Sequence, residues 1–133
     1  MKSHDLKVID LMSTALLTIK ASESVTEAHT EMELGLIRHL PVVDERGKLV
    51  GVLSDRDLLA ASKRDRRVAD LMSKDVVTIR PEAPAYEAAV LMLDHRIGSV
   101  PVVDAHGTLV GIVTQTDYLD VARRALLGLH LER

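Results

Sequence analysis

Two kinds of hydrophobic pattern alternate along this chain, and the same succession of patterns occurs twice. Short runs rich in β-branched and aliphatic residues, such as Leu40–Asp44 and Lys48–Leu53, predict strands. Apolar residues spaced three or four positions apart, such as Ala85, Ala88 and Met92, predict a helix with one apolar face. Because the strands stay apolar over several consecutive residues, we expect their sheets to be covered on both faces.

The succession of patterns is an internal repeat. Residues 8–60, here called copy one, align without a gap with residues 68–120, called copy two, at a constant offset of 60. Of the 53 aligned pairs, 21 are identical. A repeat of this quality indicates two copies of one supersecondary unit. Two copies are too few for a solenoid, so we expect a pseudo-two-fold pair.

Each copy is predicted to have the order β-α-β-β-α, an α/β (α+β) fold. The first strand is predicted at Ala15–Ile19 and again at Asp75–Ile79. In copy one, Ser24 and Glu27 form a capping-box pattern at the start of a helix, and Gly35 is placed to end it. The next two strands form a hairpin.

The hairpin and the helix after it have their own signals. Gly47 and Gly107 occupy the hairpin turns and are free to adopt a positive φ. Ser54 is predicted to open a helix that ends near Ala61, and Thr114 a longer one that ends near Leu127.

Composition narrows the class of protein. Hydrophobic residues make up 47% and charged residues 28% of the chain, as in a soluble domain, and cysteine is absent. No apolar run approaches the roughly 20 residues of a membrane span, and the first residues lack a signal-peptide pattern, so we expect a cytoplasmic protein. A net charge of −3 gives no general attraction to nucleic acid, although Lys63–Arg67 is locally basic.

A Ser/Thr-x-x-Asp pattern is the main candidate for binding chemistry. Ser54 and Asp57 form it in copy one, and Thr114 and Asp117 in copy two. A carboxylate can accept hydrogen bonds from both hydroxyls of a ribose, while exposed N–H groups at a helix start favour a phosphate. The same pattern is also close to a capping box, in which the aspartate only stabilises the helix. Both interpretations remain open, and the two roles can coexist.

Patterns of catalysis are not found in the sequence. The six histidines form no metal-binding pair at a spacing of four, and neither Gly-x-Ser-x-Gly nor a Gly-Lys-Thr phosphate loop is present. We therefore expect a protein that is not an enzyme and has no catalytic cofactor or metal.

The repeated motifs, taken in order, resemble a tandem pair of cystathionine β-synthase (CBS) domains. The motifs are Asp-Leu-Met-Ser at each start, the Thr-Ile strand, Leu/Val-Pro-Val-Val-Asp, the Gly-x-Leu-Val-Gly hairpin and the closing Ser/Thr-x-x-Asp. The resemblance implies a stand-alone pair with one CBS domain at 7–62, a linker at 63–67, a second CBS domain at 68–124, and a helix end and tail at 125–133.

The resemblance also implies a regulatory module, with energy sensing as one role. An adenosine compound such as AMP, ADP, ATP (with Mg²⁺ where ATP binds) or S-adenosylmethionine would occupy clefts between the two CBS domains. Binding would change the conformation that an unidentified protein partner reads, and the pair would form a homodimer. The alternatives are a ligand-free structural dimerisation module and, with less support, a nucleic-acid adaptor using the basic run.

Roles for individual residues follow from the same resemblance. The aspartates would hold ribose, and polar residues before the strand proline would reach phosphate. On that basis the first site, with its cations, suits a charged phosphate tail. The second suits a monophosphate or an uncharged adenosyl group, or stays empty.

Apolar strand residues would hold the base, with Asp57 sharing a cleft with the valines and Asp117 with the leucines, although core packing also explains them. The candidates are Arg38, His39, Ser54, Arg56, Asp57, Ser73, Val76 and Val77 for one cleft, and Ser13, Leu16, Leu17, Ser99, Thr114 and Asp117 for the other.

Overall fold

The computed structural model describes residues 5–61 and 66–131, which fold into short helices and two small sheets. This mixture confirms the predicted α/β fold class. Copy one contains α1 (Val8–Leu11), β1 (Ile19–Lys20), α2 (Val25–Gly35), β2 (His39–Val43), β3 (Leu49–Ser54) and α3 (Asp55–Leu59). Copy two contains α4 (Val68–Leu71), α5 (Ala85–His95), β4 (Ser99–Val103), β5 (Leu109–Thr114) and α6 (Gln115–Leu131).

The sheets have the same plan in both copies. In copy one the strand order is β1-β2-β3, with β1 parallel to β2 and β2 antiparallel to β3. In copy two β4 pairs with β5, and Ile79 forms a parallel bridge with Val102, as Ile19 pairs with Val42 in copy one. The predicted turn glycines, Gly47 and Gly107, both adopt a φ of +83°.

The chain divides into two compact units whose boundaries differ from those of the repeat. The copy-one unit consists of Ala15–Val76 and Ala105–Leu109, and the copy-two unit contains the other described residues. Helix α4 of copy two therefore lies in the copy-one unit, and α1 of copy one lies in the copy-two unit. Each short helix is held by backbone bonds in its unit, from Val68 N–H to the Glu23 carbonyl and from Val8 N–H to the Ala83 carbonyl, both 2.9 Å.

Each unit has an aliphatic core that includes the valine of the exchanged helix. Val68 and Val8 are both 0% exposed. The other buried members of the cores come from the strands and the longer helices. They are Ile19, Ala28, Met32, Leu40, Val42 and Leu53 in the copy-one unit, and Ile79, Ala88, Met92, Val100, Val102 and Val113 in the copy-two unit.

Helix α2 begins and ends where the sequence predicted, although Gly35 is not the residue that adopts the left-handed conformation. Ser24 Oγ accepts a hydrogen bond from the N–H of Glu27 at 3.0 Å. Gly35 is the last helical residue, and the left-handed C-cap is Leu36 with φ 52°. A Cβ on Gly35 would lie 2.9 Å from Leu17 Cδ2, so the glycine provides space for that side chain.

The predicted first strands are too long. Only Ile19 and Lys20 form β1, and in copy two Ile79 makes a single bridge. Ser13 forms a bridge with Ile112, whereas Ile19 pairs with Val42. The residues between Ser13 and Ile19 therefore connect two different strand partners and do not form one continuous strand. The four-residue helices α1 and α4 were not predicted, and α6 continues to Leu131 instead of ending near Leu127.

The proposed linker at 63–67 lies partly outside the described residues. Of its members, Arg66 and Arg67 are described and form part of the copy-one unit. The Arg66 carbonyl accepts from the N–H of Val25 at 3.1 Å, and Arg67 forms a bridge with Ser24. The backbone of these two arginines is thus bonded to the start of α2.

Two strand glycines allow close approach of the segment that follows each exchanged helix. A Cβ on Gly51 would lie 2.7 Å from Met72 Sδ and 2.8 Å from the Ser73 carbonyl oxygen. At Gly111 the equivalent distances are 2.5 Å to Met12 Sδ and 3.1 Å to the carbonyl oxygen of Ser13.

We expect Gly51→Ala to lower the free energy of unfolding by about 1–3 kcal/mol, because the added methyl group has no space. Gly128→Ala in α6 is the control, since no atom lies within 4 Å of its added Cβ. Alanine favours a helix over glycine, so this change should raise the free energy by up to about 1 kcal/mol. Urea denaturation measures both, and a neutral Gly51→Ala would contradict the close packing.

Tyr118 links α6 to α5 through a buried part of the copy-two unit. Its hydroxyl donates to the Ala85 carbonyl oxygen at 2.5 Å. Burial, and secondly the negative charge of Asp117, raise the pKa of Tyr118 from 10.0 to about 12. The folded protein therefore keeps this proton at pH values where the unfolded chain releases it. The resulting stability is complete below about pH 10 and is lost as the pH rises to about 12.

We therefore expect Tyr118→Phe to lose less stability than the wild type between about pH 10 and about pH 12. Tyr86→Phe is the matched control, because Tyr86 is 64% exposed. Urea denaturation across this pH range gives the comparison. An identical loss in wild type and Tyr118→Phe would show that this phenol does not cause it.

Candidate functional site

The first candidate site forms where the β2–β3 hairpin meets α3, and we call Arg38, His39, Ser54, Arg56 and Asp57 the first cluster. His39 pairs with Ser54 across the antiparallel strands. The N–H of Asp55 donates to the Arg38 carbonyl at 2.8 Å. Strand pairing thus brings the residues before Pro41 to the start of α3, although they are far apart in sequence.

Asp57 and Ser54 form a reciprocal capping box. Ser54 Oγ accepts from the N–H of Asp57 at 3.1 Å, and Asp57 Oδ2 accepts from the N–H of Ser54 at 2.8 Å. The capping interpretation of this motif is therefore confirmed. A carboxylate has about four acceptor positions on two oxygens, so capping leaves capacity for a ligand. Because both residues are only half-buried, that capacity is accessible.

The expectation that open N–H groups at α3 would receive a phosphate is wrong. The N–H of Asp55 is bonded to the Arg38 carbonyl, that of Arg56 to Asp55 Oδ1 at 2.9 Å, and that of Asp57 to Ser54 Oγ. The helix is also only five residues long. Any phosphate contact at this cluster must come from side chains, and the exposed guanidinium groups of Arg38 and Arg56 are the available donors.

The second candidate site has the same backbone plan in copy two, and we call Gly98, Ser99, Thr114, Thr116 and Asp117 the second cluster. The N–H of Gln115 donates to the Gly98 carbonyl at 3.0 Å, as Asp55 does to Arg38. Asp117 Oδ2 accepts from the N–H of Thr114 at 2.7 Å and from its hydroxyl at 3.1 Å. Here the hydroxyl donates, whereas the hydroxyl of Ser54 accepts.

The two clusters differ in charge. The first contains two arginines as well as Asp57, and Asp55 adds a second carboxylate at the helix start. The second replaces both arginines with Gly98 and Thr116, so that Asp117 is its one charged member. An anionic group would find cationic partners in the first cluster only.

Ser73 and Ser13 lie beside the strands that lead into the clusters. Ser73 exchanges two backbone bonds with Val52 in β3, at 3.0 and 2.9 Å. Ser13 does the same with Ile112 in β5, at 2.9 and 3.0 Å. Each serine therefore pairs two residues before the Ser or Thr of a cluster, and each comes from the other copy of the repeat.

The expected apolar residues are only partly grouped with their aspartates. Val76 lies in the same unit as Asp57, and Leu17 packs beside Gly35 in that unit. Val77 belongs to the copy-two unit, while Leu16 and Leu17 belong to the copy-one unit. The pairing of Val77 with Asp57, and of the two leucines with Asp117, therefore remains a prediction.

Tyr118 was not among the expected site residues. The tyrosine directly follows Asp117, is half-buried and bonds to Ala85 of α5. Its position in copy one is occupied by Leu58. This difference between the copies is visible in the sequence. The partner of the hydroxyl cannot be read from the sequence, because it lies 33 residues away.

Across residues 5–61 and 66–131, no three His, Asp or Glu side chains are grouped so that they could hold a metal ion. Within the same residues, no helix is both long and apolar enough to cross a membrane.

Comparison with known proteins identifies both copies. The family described as "CBS domain" matches residues 8–64 and 68–124. A CBS domain-containing protein of Dictyostelium discoideum is 36% identical over 134 residues, covering 90% of this chain and 92% of that protein. Inosine-5′-monophosphate dehydrogenase of Methanocaldococcus jannaschii is 36% identical over 113 residues, but the match spans only 23% of that enzyme.

Two solved structures are similar over nearly the whole chain. CBSX2, an Arabidopsis thaliana protein, in complex with AMP has a TM-score of 0.82 and 32% identity, covering 96% of this chain and 98% of that one. The CBS domain pair of MJ0100, in complex with 5′-methylthioadenosine and S-adenosyl-L-methionine, has a TM-score of 0.79 and 32% identity. It covers 90% of this chain and 98% of that one. The chain therefore belongs to the CBS domain family and carries two CBS domains in tandem, as the repeated motifs predicted.

Proposed function

We propose that this CBS pair is a regulatory module that binds an adenosine-containing nucleotide through Asp57, Asp117 or both. The observation that carries the proposal is the environment of these carboxylates. Each is half-buried and fixed by capping bonds at a helix start. Capping uses only part of the hydrogen-bond acceptor capacity of each carboxylate, so positions remain for a ligand. The complexes of CBSX2 with AMP and of the MJ0100 pair with adenosyl compounds support it.

In this proposal Asp57 accepts hydrogen bonds from the ribose diol of the first ligand. Arg38 and Arg56 donate to its phosphate, and His39 adds a ring N–H. Because the N–H groups of α3 are already bonded, these side chains carry the anion contacts. A ligand with one or more phosphates therefore suits the first cluster.

At the second cluster Asp117 takes the same ribose role. Ser99 is half-buried and supplies a hydroxyl, but the cluster has no cation to balance several phosphate charges. An uncharged adenosyl group or a monophosphate suits this cluster better than a triphosphate.

Signalling follows from the exchanged segments. Ser73 of copy two pairs with Val52 in β3 of copy one, two residues before Ser54. In this proposal a ligand at the first cluster contacts residues of both copies. Such a ligand stabilises the arrangement that binds it best and shifts the population towards that arrangement. A partner protein that reads this arrangement would receive the signal.

The test is calorimetric titration with AMP on Asp57→Asn, Asp117→Asn and the double variant. A hydrogen bond to a charged group contributes about 1.5–3 kcal/mol, so we expect each single variant to weaken its own site by about tenfold or more. The double variant should lose measurable AMP binding, and GMP should bind the wild type more weakly than AMP.

Asp70→Asn is the matched control for the loss of a cap. Asp70 Oδ2 accepts from the N–H of Arg67 at 3.1 Å in the capping box of α4, but Asp70 is not part of either cluster. AMP binding should therefore persist in Asp70→Asn. Wild-type affinity in the double aspartate variant would reject the ribose role and favour a ligand-free module.

We also propose that the pair forms a homodimer through the outer faces of its helices. On α5, Tyr86, Val90 and Leu93 are 64%, 46% and 78% exposed and share one face. On α6, a groove of about 500 Å³ is lined by Leu119, Ala122, Arg123, Leu126 and Leu127. Exposed apolar residues grouped on one face of a helix are typical of an interaction site.

We expect Leu93→Glu to convert a dimer into a monomer, since a buried unpaired carboxylate is costly at an apolar interface. Lys74→Glu changes the charge at an exposed position that is not part of α5 or α6 and serves as the control. Sedimentation velocity measures the mass of both variants. A monomeric wild type would contradict the dimer proposal without affecting nucleotide binding.

A further inference from the structure

One side chain ties the second cluster to a neighbouring helix, and copy one has no equivalent. Tyr118 follows Asp117 in the first turn of α6, and its hydroxyl donates to the carbonyl oxygen of Ala85, the first residue of α5. The residues are 33 positions apart, so the bond is a tertiary contact. At the equivalent position of α3, Leu58 has no hydroxyl and cannot form it.

The acceptor is itself held in place. The N–H of Ala85 donates to the carbonyl of Leu6 at 2.8 Å, and Lys7 forms a bridge with Pro84. The ring of Tyr118 packs against the aliphatic core of the copy-two unit. The hydroxyl therefore joins the start of α6 to a fixed point and not to a mobile loop.

The first turn of α6 has a second anchor on its other side. The N–H of Gln115 donates to the carbonyl of Gly98, and Asp117 Oδ2 caps Thr114. The Asp117 carboxylate is thus held by its capping bond, while the Gly98 and Tyr118 contacts fix the helical turn that carries it. A carboxylate with fewer accessible orientations loses less entropy when it accepts the hydroxyls of a ligand.

We propose that Tyr118 is a positioning residue that orients Asp117 for the ribose of the second ligand. This inference rests on the proposed function of Asp117. It gives the second cluster a pre-organised carboxylate, whereas the first cluster depends on its arginines for affinity.

The experiment measures AMP affinity by calorimetry in four proteins. Asp57→Asn leaves the second cluster as the intact site, and Asp117→Asn leaves the first. Each is compared with and without Tyr118→Phe, which removes only the hydroxyl. We expect Tyr118→Phe to weaken AMP binding about two- to tenfold in the Asp57→Asn protein, as for the loss of one neutral hydrogen bond. It should leave AMP binding in the Asp117→Asn protein unchanged.

A spectroscopic measurement tests whether the Tyr118 side chain responds to a ligand at the second cluster. In a Tyr86→Phe background Tyr118 is the only tyrosine, so ring-labelled tyrosine gives one set of NMR signals from this side chain. AMP should shift these signals when the second cluster is intact, and should not shift them in Asp117→Asn. A general loss of stability would weaken both clusters alike and would not produce this pattern.

The possible results are distinguishable. Unchanged affinity at the second cluster in Tyr118→Phe, or an equal loss at both clusters, would overturn the positioning role while AMP binding stands. AMP binding at the first cluster alone would overturn it as well. Failure of AMP to bind the wild type would reject the proposed function, and the inference with it.

Discussion

Completion of each core by a short helix from the other copy is the constraint on which the rest of the structure depends. Val68 of copy two is fully buried in the copy-one unit, and Val8 of copy one is fully buried in the copy-two unit. Removing either valine's helix would leave a cavity among aliphatic side chains, because the surrounding structure relaxes only partially around lost volume. The repeat therefore occurs twice for a physical reason: the hydrophobic face of one copy is covered by a segment of the other. The glycines Gly51 and Gly111 serve the same constraint, since they allow the segment after each exchanged helix to lie against a strand.

The carboxylates at the helix starts have a structural role that is independent of any ligand. Asp57 and Asp117 cap α3 and α6, and Asp10 and Asp70 cap the short helices α1 and α4 in the same way. Loss of a cap costs about 0.5–2 kcal/mol, so a change in melting temperature alone cannot identify a ligand contact. What separates the two pairs is their location. Asp10 and Asp70 lie in the exchanged segments, whereas Asp57 and Asp117 follow strands that bring polar residues of the hairpin to the same point.

The sequence predicted the features of this fold that depend on residues close together in the chain. The turn glycines Gly47 and Gly107 and the cap at Ser24 depend on residues a few positions apart, and all are present. The first strands were predicted too long, because only one or two residues of each β-branched run pair with a neighbouring strand. The occupied N–H groups of α3 could not be predicted, since the Arg38 carbonyl reaches Asp55 only through strand pairing. The same limit applies to Tyr118, whose partner Ala85 is set by helix packing.

The two clusters show how one duplicated site can diverge without a change in backbone. The bond from residue 55 to residue 38 recurs between residues 115 and 98, at 2.8 and 3.0 Å, so the scaffold is the same in both copies. Copy one adds two arginines, which supply charge but little rigidity because their side chains are exposed. Copy two has neither arginine and instead has a tyrosine that fixes the helix to its neighbour. Charge attracts anions from any orientation, whereas a fixed carboxylate selects for a diol in one orientation. Under the proposed function, such a pair would respond to two adenosine compounds that differ in their charged groups while using the same contact to ribose.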